Sequence, residues 1–189
     1  MKKIALVLCA FLAAGALSSG CSDKKTTADV SLKLDPQKAE WFKEAKFGMF
    51  IHWGLYSILE GTYNGHTLPD TTLPQGNSWY AEWIKPRLEV PDDYYNGLVN
   101  EFNPVGYDPE SWVREASNAG MKYLVITAKH HDGFALWDSD VSDFDITATP
   151  YKKDLIAPLV EACKKYGIKY GFYYSHWQDW EDPDGALPF

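Results

Sequence analysis

Twice in this chain a helical stretch stops at a glycine and an apolar strand run follows at once. Asp108-Pro109-Glu110 opens the first of these helices. Asp108 suits the cap, Pro109 the first helical position, and Gly120 the end. Trp112, Val113, Ala116 and Ala119 give the helix one apolar face, and Tyr123–Ala128 is the strand. The second helix is Leu155–Tyr166, with Leu155, Leu159, Ala162 and Cys163 on one side; Gly167 stops it and Ile168–Ser175 is the strand. An earlier helix, Gln37–Lys46 behind Asp35-Pro36, leads into the apolar run Phe47–Gly54. Strands apolar on both faces, joined through helices, signal a parallel sheet of the α/β class.

Polar and aromatic side chains collect where each strand ends: His52-Trp53, Lys129-His130-His131-Asp132, and Tyr173-Tyr174-Ser175-His176-Trp177. In a (β/α)8 barrel the working residues lie at the C-terminal ends of the strands, and a doubly wound sheet obeys the same rule. No G-x-G-x-x-G follows a strand here, so the expected fold is the N-terminal portion of a (β/α)8 TIM barrel with about three βα units. Residues 55–90, punctuated by glycine and proline, read as one long loop region of the kind that carries function or moves.

The N-terminus reads as an export signal: Lys2 and Lys3, the apolar run Ile4–Leu17, then Ser18-Ser19-Gly20-Cys21. The run is short of the roughly 20 residues a spanning helix needs. Cys21 after small residues looks like the lipidation point of a bacterial lipoprotein, although Ser18 stands where the usual pattern has leucine. A plain signal peptide and a secreted protein is the alternative. The domain reading is a signal over 1–20, lipidated Cys21 and a flexible tether over 21–35, and a globular domain over 36–189. The expected location is outside the cytoplasm, tethered to a membrane only through the lipid. The net charge of −8, more negative once Lys2 and Lys3 are removed, repels phosphate backbones and argues against a nucleic-acid partner. Cys163 is expected to be an inert buried thiol, and the 8 Trp and 12 Tyr suit surfaces that grip sugars or flat ligands.

Four clusters bear chemistry. His52 ends the first strand, and a neutral imidazole offers one donor and one acceptor to a hydroxyl. His130 and His131 end the second; both face one pocket only if the chain turns between them, which Gly133 permits. Histidine near aspartate also suits zinc, but no H-x-x-x-H or H-E-x-x-H spacing exists, so no metal is expected. Trp79-Tyr80-Ala81-Glu82-Trp83-Ile84 in the long loop places a carboxylate beside indoles: either a solvent helix with aromatic anchors or a sugar platform. At the third strand end Tyr173 and Tyr174 must point to opposite faces, so only one lines a site. Asp179 and Glu181 imitate a catalytic carboxylate pair, but their flanks read as a solvated loop.

The segments Trp41-Phe42 to Lys46, Phe47–Gly54, Glu82-Trp83, Phe102-Asn103-Pro104 to Trp112, Lys129–Phe134 and Tyr173–Ser175 together resemble the N-terminal part of a family 29 glycoside hydrolase, an α-L-fucosidase. The resemblance runs over about residues 36–180. It implies a retaining exo-hydrolase that releases terminal α-L-fucose from glycans with no metal or organic cofactor. It carries His52, Glu82, Trp83, His130, His131 and one strand-end tyrosine, Tyr174 in preference to Tyr173, over as fucose-binding residues; Trp53 and Trp137 are weaker candidates. The family's nucleophile, an aspartate after a fourth strand, and its acid/base lie past residue 189, so no catalytic residue is expected within the sequence. A whole barrel takes about 250 residues. The chain therefore reads as truncated, with two open sheet edges, and is expected to aggregate or stay molten by itself. The other readings are a non-catalytic fucose- or glycan-binding lipoprotein, and a barrel glycosidase for another sugar.

Overall fold

The computed structural model describes residues 36–72 and 80–185, so the leader, Cys21, the tether and Trp79 lie outside the described residues. In chain order the elements are α1 (Pro36–Ala45), β1 (Gly48–Ile51), β2 (Thr62–Tyr63), β3 (His66–Thr67), α2 (Ile84–Arg87), α3 (Asp92–Gly97), α4 (Pro109–Asn118), β4 (Tyr123–Lys129), α5 (Ile156–Tyr166) and β5 (Lys169–Tyr174). Short 3-10 turns fall at Leu55–Ser57, Ala81–Trp83, Leu98–Asn100 and Ile146–Ala148.

The three strands expected from the sequence form one parallel sheet in the order β1-β4-β5. The helix ends follow local chemistry. Asp108 accepts from the Ser111 N–H at 3.0 Å and caps α4, while Asp154 accepts from the N–H groups of Ile156 and Ala157 and caps α5. Gly167 closes α5 at φ 68°, a left-handed angle that a Cβ disfavours. The helix-side core joins Leu124 and Ile126 of β4 with Val113 of α4 and Leu159, Ala162 and Cys163 of α5. Ala119 is exposed rather than on that face, because the helix has already ended at its position. Cys163 is a buried free thiol whose pKa burial raises to about 11, which keeps it protonated and inert.

Three expectations need correction. The strands are not apolar and covered on both faces throughout. β4 is central and buried, but the edge strands expose Phe50, Tyr170, Phe172 and Tyr174, because among the described residues no element packs over them. The first strand is also shorter than the run 47–54. Past Ile51 the backbone leaves the ladder, and the Trp53 N–H donates to Thr127 Oγ1 at 2.9 Å. Of residues 55–90, read as loop, the described parts 55–72 and 80–90 hold the β2–β3 hairpin, α2 and short turns, and α3 follows. Among the described residues no helix is long and apolar enough to cross a membrane.

Candidate carbohydrate site

Thr127 on β4 sets the position of His52. Its Oγ1 accepts from the Trp53 N–H and donates to the Trp53 carbonyl at 3.1 Å, gripping the residue after His52 by both backbone groups. A hydroxyl has one proton, so Tyr56 O–H must donate the third bond at 3.2 Å. This clamp spans 74 residues of sequence and fixes His52 at the strand end.

β4 ends at Lys129 and the chain turns there. The Gly133 N–H returns to the His130 carbonyl at 3.2 Å, and Gly133 adopts φ 79°. The turn lets the two adjacent imidazoles share one pocket, with ring centroids 4.1 Å apart. His52 reaches the same place, 5.9 Å from the His130 ring. Glu82, on the 3-10 turn Ala81–Trp83, completes the group: ligand-type atoms of His52, Glu82 and His130 all lie within 4.8 Å of one another. Trp83 meets His131 edge to face at 5.0 Å.

The strand-end tyrosine in this cluster is Tyr173, and the preference for Tyr174 is corrected. Register pairs Tyr173 with Thr127 and Phe50 with Val125, which puts Tyr173 on the His52 side of the sheet. Its ring stacks on His130 at 5.4 Å and lies 6.1 Å from Phe50. Tyr174 points the other way, beside Trp137 at 6.1 Å and under the Lys129 ammonium at 4.8 Å. Trp137 therefore leaves the candidate site with Tyr174. Trp53 leaves it too, because its indole packs among Phe102, Tyr107 and Trp112 on the helix side.

Burial keeps the two adjacent imidazoles of the pocket, His130 and His131, in their neutral form. Burial first, then the neighbouring His131, His52 and Lys129 charges, lower the His130 pKa to about 3. Burial and Lys129 lower that of His131 as well. The His130 Nδ1 atom is buried and meets no partner among the described residues. Such an atom costs free energy unless a ligand or water completes it. Asp132, which histidine-plus-aspartate zinc chemistry would recruit, turns away: it is fully buried and accepts from Tyr95 O–H at 2.9 Å.

Sequence reasoning missed two contributors, Phe50 and Trp180, and misread two more, Asp179 and Glu181. The Phe50 ring packs tilted against His52 at 4.3 Å; only the alternation of β1 hints at it. Trp180 packs on both Trp83 and His131, at 5.8 and 5.7 Å. Asp179 and Glu181 flank it and are not simply solvated: Asp179 pairs with buried Lys129, and Glu181 with buried Lys85 at 2.7 Å. No sequence signal marks these long-range pairs.

The sequence profile described as alpha-L-fucosidase matches residues 16–187. The tissue alpha-L-fucosidase of Rattus norvegicus is 33% identical over 165 residues, which is 87% of this chain and 35% of that protein. An unliganded alpha-L-fucosidase, AlfC, from Lactobacillus casei superposes with a TM-score of 0.71 at 46% identity, over 79% of this chain and 43% of the other. A GH29 alpha-L-fucosidase from Bacteroides thetaiotaomicron gives a TM-score of 0.70 at 38% identity, over 82% and 32%. The chain thus spans about a third to two fifths of the length of these relatives. With the family profile matched across nearly the whole sequence, and histidine, glutamate and indole groups gathered at the sheet end, this chain belongs to the α-L-fucosidase family.

Proposed function

We propose that the protein is a retaining exo-glycosidase that hydrolyses terminal α-L-fucose from glycans, and that this chain carries the binding half of its site. The observation that carries the reading is the convergence of His52, Glu82 and His130 atoms within 4.8 Å, with Phe50, Tyr173, Trp83 and His131 around them. Imidazoles and a carboxylate satisfy sugar hydroxyls. Aromatic faces cover the apolar side of a deoxysugar and its methyl group. Among the related structures, AlfC from Lactobacillus casei holds α-L-fucose product and an AlfC variant holds Fuca(1,6)GlcNAc, which supports a fucosylated glycan as the substrate class here.

We further propose that β1, β4 and β5 are the first three strands of a (β/α)8 barrel. Their parallel order and the placing of the site at their C-terminal ends support it. A retaining mechanism needs two carboxyl groups about 5–5.5 Å apart. Asp179 and Glu181 do not supply them, since both are tied to buried lysines. The segment covers less than half of each relative, and we place the nucleophile and the acid/base in the length not shared. Export and tethering through Cys21 are proposed from the leader pattern alone. Metabolic labelling with a fatty acid, lost in Cys21→Ser, tests it.

The activity is tested with protein expressed from its complete reading frame and an aryl α-L-fucoside. Release of fucose with retention of the anomeric configuration is expected. A folded protein that binds fucose without turnover overturns the enzyme in favour of a binding lipoprotein. Faster release of another sugar overturns the substrate.

A further inference from the structure

His131 is held at Nδ1 by Ser175, whose hydroxyl oxygen lies 2.7 Å away. The same hydroxyl donates to the Gln178 carbonyl oxygen at 2.5 Å. A carbonyl only accepts, and a serine hydroxyl carries one proton. That proton is committed to Gln178, so the bond to His131 has to be donated by the imidazole. Ser175 is itself fixed: it is 4% exposed, and its backbone N–H donates to the Lys129 carbonyl at 3.0 Å. The far side of the same loop holds the histidine backbone, where the Trp180 N–H donates to the His131 carbonyl at 2.8 Å.

We propose that Ser175 is a positioning residue that locks His131 as its Nδ1–H tautomer and presents Nε2 to the pocket as a hydrogen-bond acceptor. A neutral imidazole has one N–H and one bare nitrogen, so fixing the first fixes the second. Burial and the Lys129 ammonium disfavour a second proton on the ring. The bond with Ser175 engages Nδ1 and leaves the acceptor lone pair of Nε2 for a further partner. The partner that suits it is a hydroxyl that can donate, and an ether oxygen at the same place leaves the nitrogen unpaired. The identity of that hydroxyl as one of fucose rests on the function proposed above; the tautomer rests on the protein alone.

The test uses protein from the complete reading frame, labelled with 15N-histidine, with His131 assigned by the signals missing in His131→Gln. In the free protein Nδ1 should give a pyrrole-type resonance and Nε2 a pyridine-type one. Ser175→Ala should abolish that pattern in favour of exchange between tautomers and lower kcat/KM for an aryl α-L-fucoside about tenfold. Ser175→Thr, which keeps the hydroxyl, should restore the pattern. The opposite tautomer in the wild type overturns the proposal, and so does an unchanged spectrum in Ser175→Ala. The tautomer as stated, with full activity in a folded Ser175→Ala, overturns the positioning role. A wild type with no fucoside turnover overturns the function instead, and the spectrum still decides the tautomer.

Discussion

Lys85 and Lys129 are each 6% exposed, and His130 and His131 are 5% and 8% exposed. These four side chains stand at the same end of the sheet, yet the two pairs solve burial in opposite ways. Each lysine meets a carboxylate: Lys85 reaches Glu181 and Asp92, and Lys129 reaches Asp179. A buried charge is tolerable only when paired, and these pairs tie the segment after β5 down onto the turn after β4 and onto α2. The histidines carry no such partners. Burial holds them neutral, and His130 keeps an unpartnered Nδ1. Where the buried charges are paired, the cluster is scaffold. Where hydrogen-bonding capacity is left over, the cluster is ready for a ligand. Trp180 belongs to both, since it sits between the two anchored carboxylates in sequence and packs on His131 and Trp83 in space.

The contrast breaks most visibly at the histidines. His52 is exposed at the strand end, so His52→Ala should fold normally while kcat/KM for an aryl α-L-fucoside falls about a hundredfold, as loss of a strong polar contact would dictate. Equal loss of activity and of melting temperature would make His52 scaffold instead. At the lysine cluster the order reverses. Lys129→Met should cost about 2 kcal/mol in urea unfolding, below the full penalty for breaking a buried pair because Asp179 keeps some solvent. Replacing Asp179 by leucine in the same chain should recover much of that. A single variant as stable as the wild type would show that the pair anchors nothing.

A subtler difference lies in pH. Asp132 has its pKa raised from 3.8 to about 6 by burial, so the folded state holds a proton that the unfolded state gives up first. Its contribution to stability therefore falls as pH rises from about 4 to about 6. His130 has its pKa lowered from 6.5 to about 3, so its contribution is lost as pH falls through that window. The two slopes oppose each other. Asp132→Asn, which can still accept from Tyr95, should unmask the His130 slope, with melting temperature climbing from pH 4 to pH 6 more steeply than in the wild type. An unchanged profile would mean that Asp132 does not titrate there. The smallest expected effect is none at all. Although His52, Glu82 and His130 are spaced as metal ligands are, exhaustive chelation should leave fucoside turnover unchanged, and a loss restored by zinc would convert the proposed sugar pocket into a metal centre.

Much of this architecture was legible in the chain. Asp108 as a cap and Gly120 and Gly167 as stops marked α4 and α5, and the apolar runs between polar ends gave three strands whose ends carry the site. These are local signals, written within a few residues of where they act. The resemblance of the short F-G-M-F-I-H-W-G and K-H-H-D-G-F segments to one family also named the histidines that converge. What could not be read were the contacts that depend on register and on long loops. Alternation required Tyr173 and Tyr174 to oppose each other, but only the pairing of Tyr173 with Thr127 decided which one faces His130. Trp53 follows His52 directly, yet the Thr127 clamp turns its backbone so that the indole packs in the core. Asp179 and Glu181 looked solvated because their partners, Lys129 and Lys85, lie about fifty and about a hundred positions away.

The sequence by itself determined the elements, their caps and the kinds of side chain at the strand ends, because propensity and hydrophobic period act over a turn or a pleat. Only the tertiary structure decided which of those side chains keep unpaired polar atoms and which are neutralised by a distant charge. That choice belongs to pairs of residues that the chain brings together by folding, and it depends on burial and distance, which no single stretch of sequence contains.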